Sequence, residues 1–351
     1  MGTKRLARQA RRRARGGSRG QGRGQAAPLL AVLDLGSNNC RLLIARPAAD
    51  GSFRVVDSFS RIVRLGEGVA RTGQLSDAAI ARTLSALAVC AQHIRASGAR
   101  HVRAIATAAA RGAGNAGELV ARARDETGIA LEIVSPDEEA RLAAVGCAPL
   151  IGRGFEGALV FDIGGGSTEM IWMRREQGHE AHIVRSASVP VGVVGLAEDY
   201  PANDRPAHDP IDSAEFDAMR ARMIARLSPV REAMDAVAPF SRETHHLLGT
   251  SGTVTTLAAV AMGLDRYIRA RVDGSWHDCD DILRVVDRLM GMGREARARI
   301  GAIGPDRADL VLPGCAIFSA IYALWPCRQL RVADRGLREG MLRELLKEVQ
   351  A

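Results

Sequence analysis

The stretch Leu159-Val160-Phe161-Asp162-Ile163-Gly164-Gly165-Gly166-Ser167-Thr168-Glu169 decides how the chain is read. A run of large apolar side chains is the pattern of a buried strand. Here it ends in an acid, with three glycines and two hydroxyls close behind. Glycines let the backbone turn tightly with its N–H groups outward, a geometry that cradles phosphate oxygens. An acid at the strand end can hold a magnesium ion beside them, directly or through water. A shorter relative, Ala31-Val32-Leu33-Asp34-Leu35-Gly36-Ser37-Asn38, stands earlier in the chain. Two strand–Asp–x–Gly turns predict two phosphate-facing hairpins, although a Gly-rich hairpin turn taken singly needs no ligand.

The 351 residues exceed the roughly 250–300 at which a single core stops growing, so two domains are expected. Apolar residues make up 47% and charged residues 25%, the profile of an ordinary soluble globular protein. No apolar run reaches the ~18–20 residues of a membrane span, and no apolar segment follows the basic N-terminus as in a secretory signal. The six cysteines form no CxxC pair and no metal-ligand spacing, so reduced thiols in the cytoplasm are expected. The net charge of +8 is concentrated: residues 1–26 carry nine Lys and Arg and no acid, leaving the rest of the chain near −1. That glycine-rich tail cannot build a core and is expected to be disordered. It reads either as an arm that collects RNA or a long phosphate chain by counterion release, or as a solvated basic extension or misplaced translation start. No aromatic side chains interleave there for base stacking.

Along the body, residues 30–35, 41–46 and 53–65 read as a meander of strands joined by the turns at 36–39 and 47–51. A helix is expected from Ser76 to Gly98, a strand over 101–107, a helix over 116–127 and a strand over 131–134. Next comes Ser135-Pro136-Asp137-Glu138-Glu139-Ala140-Arg141-Leu142, where Ser135 fits an N-cap, Pro136 the first helical position and Glu138 the third residue of a capping box. The cap gives Asp137 and Glu138 a structural task and does not need Glu139, which reads as one more first-turn acid or as a catalytic group. Residues 169–174 and 181–190 repeat the meander after Asp162, so Asp34 and Asp162 are expected to close equivalent strands. A loop over 199–210 and a helix over 214–238 containing Pro229 follow. In His246-Leu247-Leu248-Gly249-Thr250-Ser251-Gly252-Thr253-Val254 a strand again leads through a Gly/hydroxyl turn into a helix, a third candidate anion contact at Gly249, Thr250, Ser251 and Gly252. His245 and His246 read as strand-start residues. Helices over 281–292 and 306–323, a strand over 329–333 and a helix over 337–349 complete the chain.

There is no GxxxxGK[ST], no HExxH and no GxSxG at a strand-to-helix turn. Two Asp-Gly hairpins, a Gly-Thr-Ser-Gly turn and an acid-rich helix start suit metal-assisted phosphoryl transfer, with N–H groups neutralising charge and a carboxylate orienting the attacking oxygen. The order of these parts is similar to the actin-like, sugar-kinase and Hsp70 ATPase architecture. Within it the chain closely resembles the exopolyphosphatase/guanosine pentaphosphate phosphohydrolase family over about residues 30–345. The motifs that carry the resemblance are Asp34-Leu35-Gly36-Ser37-Asn38, Ala106-Thr107 with Arg111 and Asn115, Ser135 to Leu142 and Asp162 to Glu169. They continue with Gly249-Thr250-Ser251-Gly252-Thr253, Arg307-Ala308-Asp309 and Leu337-Arg338-Glu339-Gly340.

The resemblance implies an α/β fold of two actin-like (ribonuclease H-like) domains, each a mixed five-stranded sheet flanked by helices, with the active site in the interdomain cleft. The implied organisation is a tail over 1–27, domain I over 28–150 completed by a C-terminal helix at 337–351, and domain II over 151–336. It implies Glu139 as general base and Arg111 as a phosphate-facing arginine. Phosphate would be cradled by Ser37, Asn38, Gly164, Gly165, Gly166, Ser167 and Thr168, with Asp34, Asp162 and Glu169 facing Mg2+. The implied substrates are polyphosphate and guanosine pentaphosphate, and a homodimer is implied as possible. Pro136 and Gly195 depart from the family pattern, and the chain stops before the extra helical domain of long members. Short-chain or pentaphosphate hydrolysis therefore gains weight, with the basic tail as a substitute polyanion guide. A kinase of the same architecture and a non-catalytic polyphosphate or (p)ppGpp sensor are the competing readings.

Overall fold

The computed structural model describes residues 28–48, 52–175, 181–200 and 210–350. The basic tail, the centre of the 47–51 turn and most of the 199–210 loop lie outside those residues.

The first hairpin unit is built from β1 (Leu30–Leu35), β2 (Asn39–Pro47) and β3 (Phe53–Ile62). β1 is apolar almost throughout because both of its faces are covered, the pattern of a central strand. It pairs antiparallel with β2, placing Asp34 opposite Arg41, and parallel with β4 (His101–Ala106). β5 (Leu131–Ile133) completes a sheet of order β3-β2-β1-β4-β5. The short helix α1 (Val69–Thr72) precedes α2 (Asp77–Ser97), which Ser76 caps and a left-handed Gly98 ends, as the sequence predicts. α3 (Ala108–Arg111) and α4 (Ala116–Thr127) follow, and α2 and α4 carry most of the helical core on one face of this sheet.

The second sheet repeats the plan from β6 (Gly157–Ile163), β7 (Thr168–Arg174), β8 (His182–Val189), β9 (His245–Thr250) and β11 (Gln329–Ala333). Its register places Asp162 opposite Glu169, where the first sheet has Asp34 opposite Arg41. A sixth strand, β10 (Trp276–Asp278), pairs antiparallel on the β11 edge, so this sheet has six strands where five were expected. Three residues beside a glycine turn are too few to show a strand periodicity in the sequence.

Around this sheet lie α6 (Val193–Asp199), α7 (Ser213–Asp235), α8 (Ser251–Ala261), α9 (Arg269–Val272), α10 (Cys279–Met290), α11 (Arg294–Ala298) and α12 (Val311–Leu324). α7 continues through Pro229, whose lost hydrogen bond is offset by the buried Phe216, Met219, Met223, Leu227 and Met234. α12 starts at Val311 and not near Asp306. The left-handed Gly304 opens a run of turns that carries Arg307 to the cleft.

Two helices lie back to back between the sheets. α5 (Pro136–Cys147) buries Ala140, Ala143, Ala144 and Cys147 against Val160, Ile171 and Leu248 of the second sheet. α13 (Leu337–Gln350) buries Met341, Leu342 and Leu345 against Leu30, Val32 and Ile105 of the first. Fully burying a Leu or Met side chain is worth about 1.5–3 kcal/mol. The crossing is close because a Cβ on Gly340 would collide with the Leu142 carbonyl and one on Gly146 with the Gly336 carbonyl. The two helices run antiparallel, the end of α5 against the start of α13 and the first turn of α5 near Glu344.

Candidate active site

A cleft of about 1160 Å³, open solvent at its mouth included, runs between the sheets, and the two glycine hairpins face each other across it. A Cβ on Gly165 would lie 3.0 Å from the backbone N of Asn38, and one on Gly166 2.5 Å from Ser37 Oγ. Glycine is required at both positions by the opposite wall, since neither has a left-handed φ. The carbonyls of Gly164 and Gly165 accept from Val193 and Val194 at 3.0 and 2.8 Å, at the start of α6. Those contacts turn the carbonyls away, and no acceptor among the described residues takes the N–H groups of Gly165 or Gly166. Ser37 Oγ and Asn38 Oδ1 are buried with no partner among the described residues. Buried polar groups are rarely left so, and a cradle of free N–H groups with an unpaired hydroxyl is able to receive an anion. An anion would take the Asn38 amide with its Nδ2 turned inward.

Six carboxylates line this cleft: Asp34 and Asp162 at the ends of β1 and β6, Glu139 in the first turn of α5, Glu169 on β7, Asp334 just past β11 and Glu339 in the first turn of α13. Burial pushes Glu139 up to about 7. Arg111 pulls it back, while Asp34 and Asp162 push it further up. Burial likewise raises Asp162 to about 6, against the Ser251 hydroxyl and Arg41. Asp34 is raised by burial despite Arg41 and Arg338. Glu169 is raised by burial and by the neighbouring Glu139 and Asp162, although its Oε1 accepts from Ser167 at 2.5 Å and Ser188 at 3.1 Å. Among the described residues no three His, Cys, Asp or Glu converge into a ready-made metal cage.

Ser135 caps α5 by accepting from the Glu138 N–H at 3.2 Å, but the carboxylate of Glu138 does not complete the box. It goes to Arg103 at 3.0 Å and to Arg141 at 2.8 Å, and both arginines also reach Glu344 of α13. Glu139 is thus the acid of this turn that is left to face the cleft.

The third turn is brought to the same cavity. Thr250, Ser251 and Gly252 line it at the N-terminus of α8. Ser251 holds φ of 71°, rare for a residue with a side chain, and its hydroxyl donates to the Ile163 carbonyl at 2.6 Å. Gly249 does not line the cavity: a Cβ there would meet the Phe161 ring at 2.6 Å, so this glycine serves packing. Thr168 is also set back, donating to the Val191 carbonyl at 2.7 Å.

Arg111 stands behind Glu139 and is not among the lining residues, which include Arg41, Arg307, Arg335 and Arg338. Arg41 and Arg338 make no hydrogen bond or ion pair with described residues, whereas Arg335 is held by Asp273 with Nε at 3.0 Å. Sequence reasoning assigned roles to none of the four. Arg307 and Arg338 stand in motifs that carry the family resemblance. Arg41 had one signal, a charge directly after a hairpin turn and ahead of the apolar run 42–45. His246 is a buried structural group, pushed down to about 4 by burial, and its Nε2 accepts from the Gly152 N–H at 3.1 Å. All six cysteines are free and buried. No helix among the described residues is long and apolar enough to cross a membrane.

Paired sheets of one plan, with hairpin tips opposed over a cleft, define an actin-like α/β protein built to handle phosphate. Residues 43–349 match the Ppx/GppA phosphatase family, and the chain belongs to it. Exopolyphosphatase 2 of Mycobacterium tuberculosis is 35% identical over 324 residues, covering 89% of this chain and 97% of that one. The crystal structure of the Aquifex aeolicus member of the Ppx/GppA family superposes with a TM-score of 0.73 at 30% identity, covering 92% of this chain and 98% of that one. An exopolyphosphatase from Cytophaga hutchinsonii gives 0.79 at 25% identity, covering 91% and 98%.

Proposed function

We propose that this protein is a Mg2+-dependent phosphohydrolase that releases terminal orthophosphate from inorganic polyphosphate, from guanosine pentaphosphate, or from both. The observation that carries the reading is the position of Glu139, a carboxylate titrating near neutrality beside two Asp-ended strands and a cradle of free N–H groups. The exopolyphosphatase relatives favour polyphosphate as the first substrate to try.

The donor set fits magnesium. Asp34, Asp162 and Glu169 are hard oxygen donors whose burial and like charges raise their pKa values, and a divalent ion would relieve that repulsion. With no full cage among the described residues, the ion would keep waters and substrate oxygens, as magnesium usually does. When bound it supplies charge neutralisation on the phosphoryl oxygens.

The chain's own residues do the rest. The N–H groups of Gly165 and Gly166 and the Ser37 hydroxyl bind the terminal phosphoryl group, while Ser167 keeps Glu169 oriented. Glu139 accepts a proton from the attacking water, and Arg111 fixes the carboxylate so that one oxygen faces that water.

Phosphate release from long-chain polyphosphate, tripolyphosphate and guanosine pentaphosphate, measured side by side with magnesium, tests the reading. Failure to release phosphate from any of the three, under conditions where a relative is active, would reject it.

A further inference from the structure

We propose that Ser188 is a positioning residue for Glu169: its hydroxyl, together with that of Ser167, fixes one carboxylate oxygen so that the other is presented to a divalent cation in the cleft. The proposal rests on the hydrolase reading above and gives a task to a side chain that does not itself line the cleft.

The register of the second sheet sets up the arrangement. Asp162 on β6 stands opposite Glu169 on β7, and Glu169 stands opposite Ser188 on β8, so the three form a row across neighbouring strands. Residues directly opposite in an antiparallel pair share a face, with Cβ atoms about 4.5–5.5 Å apart. β8 is the edge of the sheet, so Ser188 flanks Glu169 on the side away from Asp162. Its Oγ donates to Glu169 Oε1 at 3.1 Å, and Ser167 Oγ donates to the same oxygen at 2.5 Å.

Glu169 lines the cleft yet is only 3% exposed. A carboxylate so buried needs donors from the protein, and in its ionised form each oxygen accepts about two. The two hydroxyls fill Oε1. Oε2 has no hydrogen-bond or ion-pair partner among the described residues. It lies toward the glycine turn, 3.9 Å from where a Cβ on Gly164 would stand. The oxygen left over for a cation is therefore the one beside the turn that cradles phosphate. The two anchors differ in origin. Ser167 belongs to that turn and lines the cleft, whereas Ser188 sits on a paired strand outside it. The last torsion of a glutamate side chain is broad, so a second donor from a separate strand is what holds the carboxylate plane. Groups that orient a metal ligand in this way contribute about 10–100-fold to metal affinity.

The test compares Ser188→Thr with Ser188→Val in the full chain. The two variants have one shape, suited to a strand, and only threonine keeps the hydroxyl. Mn2+ alone is the probe ion, its uptake followed by loss of the free-ion electron paramagnetic resonance signal. Disappearance of uptake in Glu169→Gln identifies the site. Ser188→Val should bind Mn2+ about 10–100-fold more weakly than the wild type, and Ser188→Thr close to it. The magnesium concentration giving half-maximal phosphate release should rise in parallel in Ser188→Val, with most of kcat recovered at saturating magnesium. A merely structural serine would not separate the two variants in this way. Equal Mn2+ affinity in Ser188→Val and Ser188→Thr would overturn the proposal and leave the hydrolase reading standing. If Ser188→Val loses its thermal transition, Ser188→Ala decides by the same affinity criterion. A wild type that takes up no Mn2+ would remove the magnesium reading and this proposal together. If the wild type binds Mn2+ but releases no phosphate, the hydrolase reading alone fails, and the affinity comparison still decides the role of Ser188.

Discussion

One nitrogen of Arg111, Nη1, donates both to Glu139 Oε2 at 3.0 Å and to the Val134 carbonyl at 2.8 Å. The arginine expected to face phosphate is anchored to the backbone just before α5 and holds the candidate base. Replacing it by Arg111→Gln removes the largest influence lowering the Glu139 pKa. The acid limb of the kcat/KM profile should then move to higher pH, with the largest loss of rate below neutrality. An unmoved limb would mean that Arg111 acts elsewhere.

Glu139→Gln should cut kcat by about 10²–10⁴-fold, the usual contribution of a positioned general base. In the wild type, kcat/KM should fall as pH drops through about 7, where Glu139 takes up a proton in the free protein. A profile flat from pH 5 to pH 8 would exclude Glu139 as the titrating base.

Stability should run the other way. In the fold, Asp162 and Glu139 titrate at about 6 and about 7, above their ordinary values of 3.8 and 4.5. Such groups favour the fold fully below their unfolded pKa, and that contribution is lost as pH rises through 6 to 7. A tenfold difference in proton affinity between folded and unfolded chains corresponds to about 1.4 kcal/mol. Without divalent ions, Tm should therefore decline between pH 5 and pH 8, and added magnesium should reverse the decline. Glu138 and Glu344, whose pKa values are lowered by Arg141, act oppositely, and their contribution is lost in more acidic solution. A Tm that climbs steadily from pH 5 to pH 8 without metal would contradict this assignment.

Gly340→Ala and Gly146→Ala drive a methyl group into the carbonyls of Leu142 and Gly336. Forcing α5 and α13 apart should cost on the order of 2–4 kcal/mol, in the range of severe core overpacking. It should also lower kcat, because Glu139 rides on α5. Denaturant unfolding together with phosphate release separates the two effects. A variant as stable as wild type would show that the crossing has slack.

Because Arg41 and Arg338 face the cleft with no described residue paired to them, KM for a polyanionic substrate should rise with ionic strength. The rise should be clear between low salt and about 0.5 M, where screening is strong. Titration with salt at fixed pH checks this, and a KM indifferent to salt would remove these arginines from substrate binding.

Much of the site was legible as local pattern. An apolar run ending in Asp162-Ile163-Gly164-Gly165-Gly166 marks a strand followed by a turn, and the same pattern at Asp34 marks its counterpart. Ser135 and Pro136 likewise specify where α5 begins. Which acid of that turn faces the cleft was not decided by spacing, because the capping box accounts for Glu138 only if its carboxylate turns back. In the fold that carboxylate goes to Arg103 and Arg141, which are held by Glu344, more than two hundred residues away in sequence. The extra strand β10 and the setting back of Gly249 and Thr168 from the cavity were not legible for a related reason: three-residue strands and packing contacts carry no periodic signal.

The sequence by itself determined the two Asp-ended hairpins, the capped start of α5 and the repeated order of strands, since each follows from local pattern and capping. The tertiary structure alone decided that the hairpin tips touch, that Arg111 backs Glu139, and that Arg41 and Arg338 stand at the cleft with no described partner. Those outcomes depend on which distant side chains neutralise one another after two sheets close around α5 and α13. Charge pairing across such distances is settled by packing.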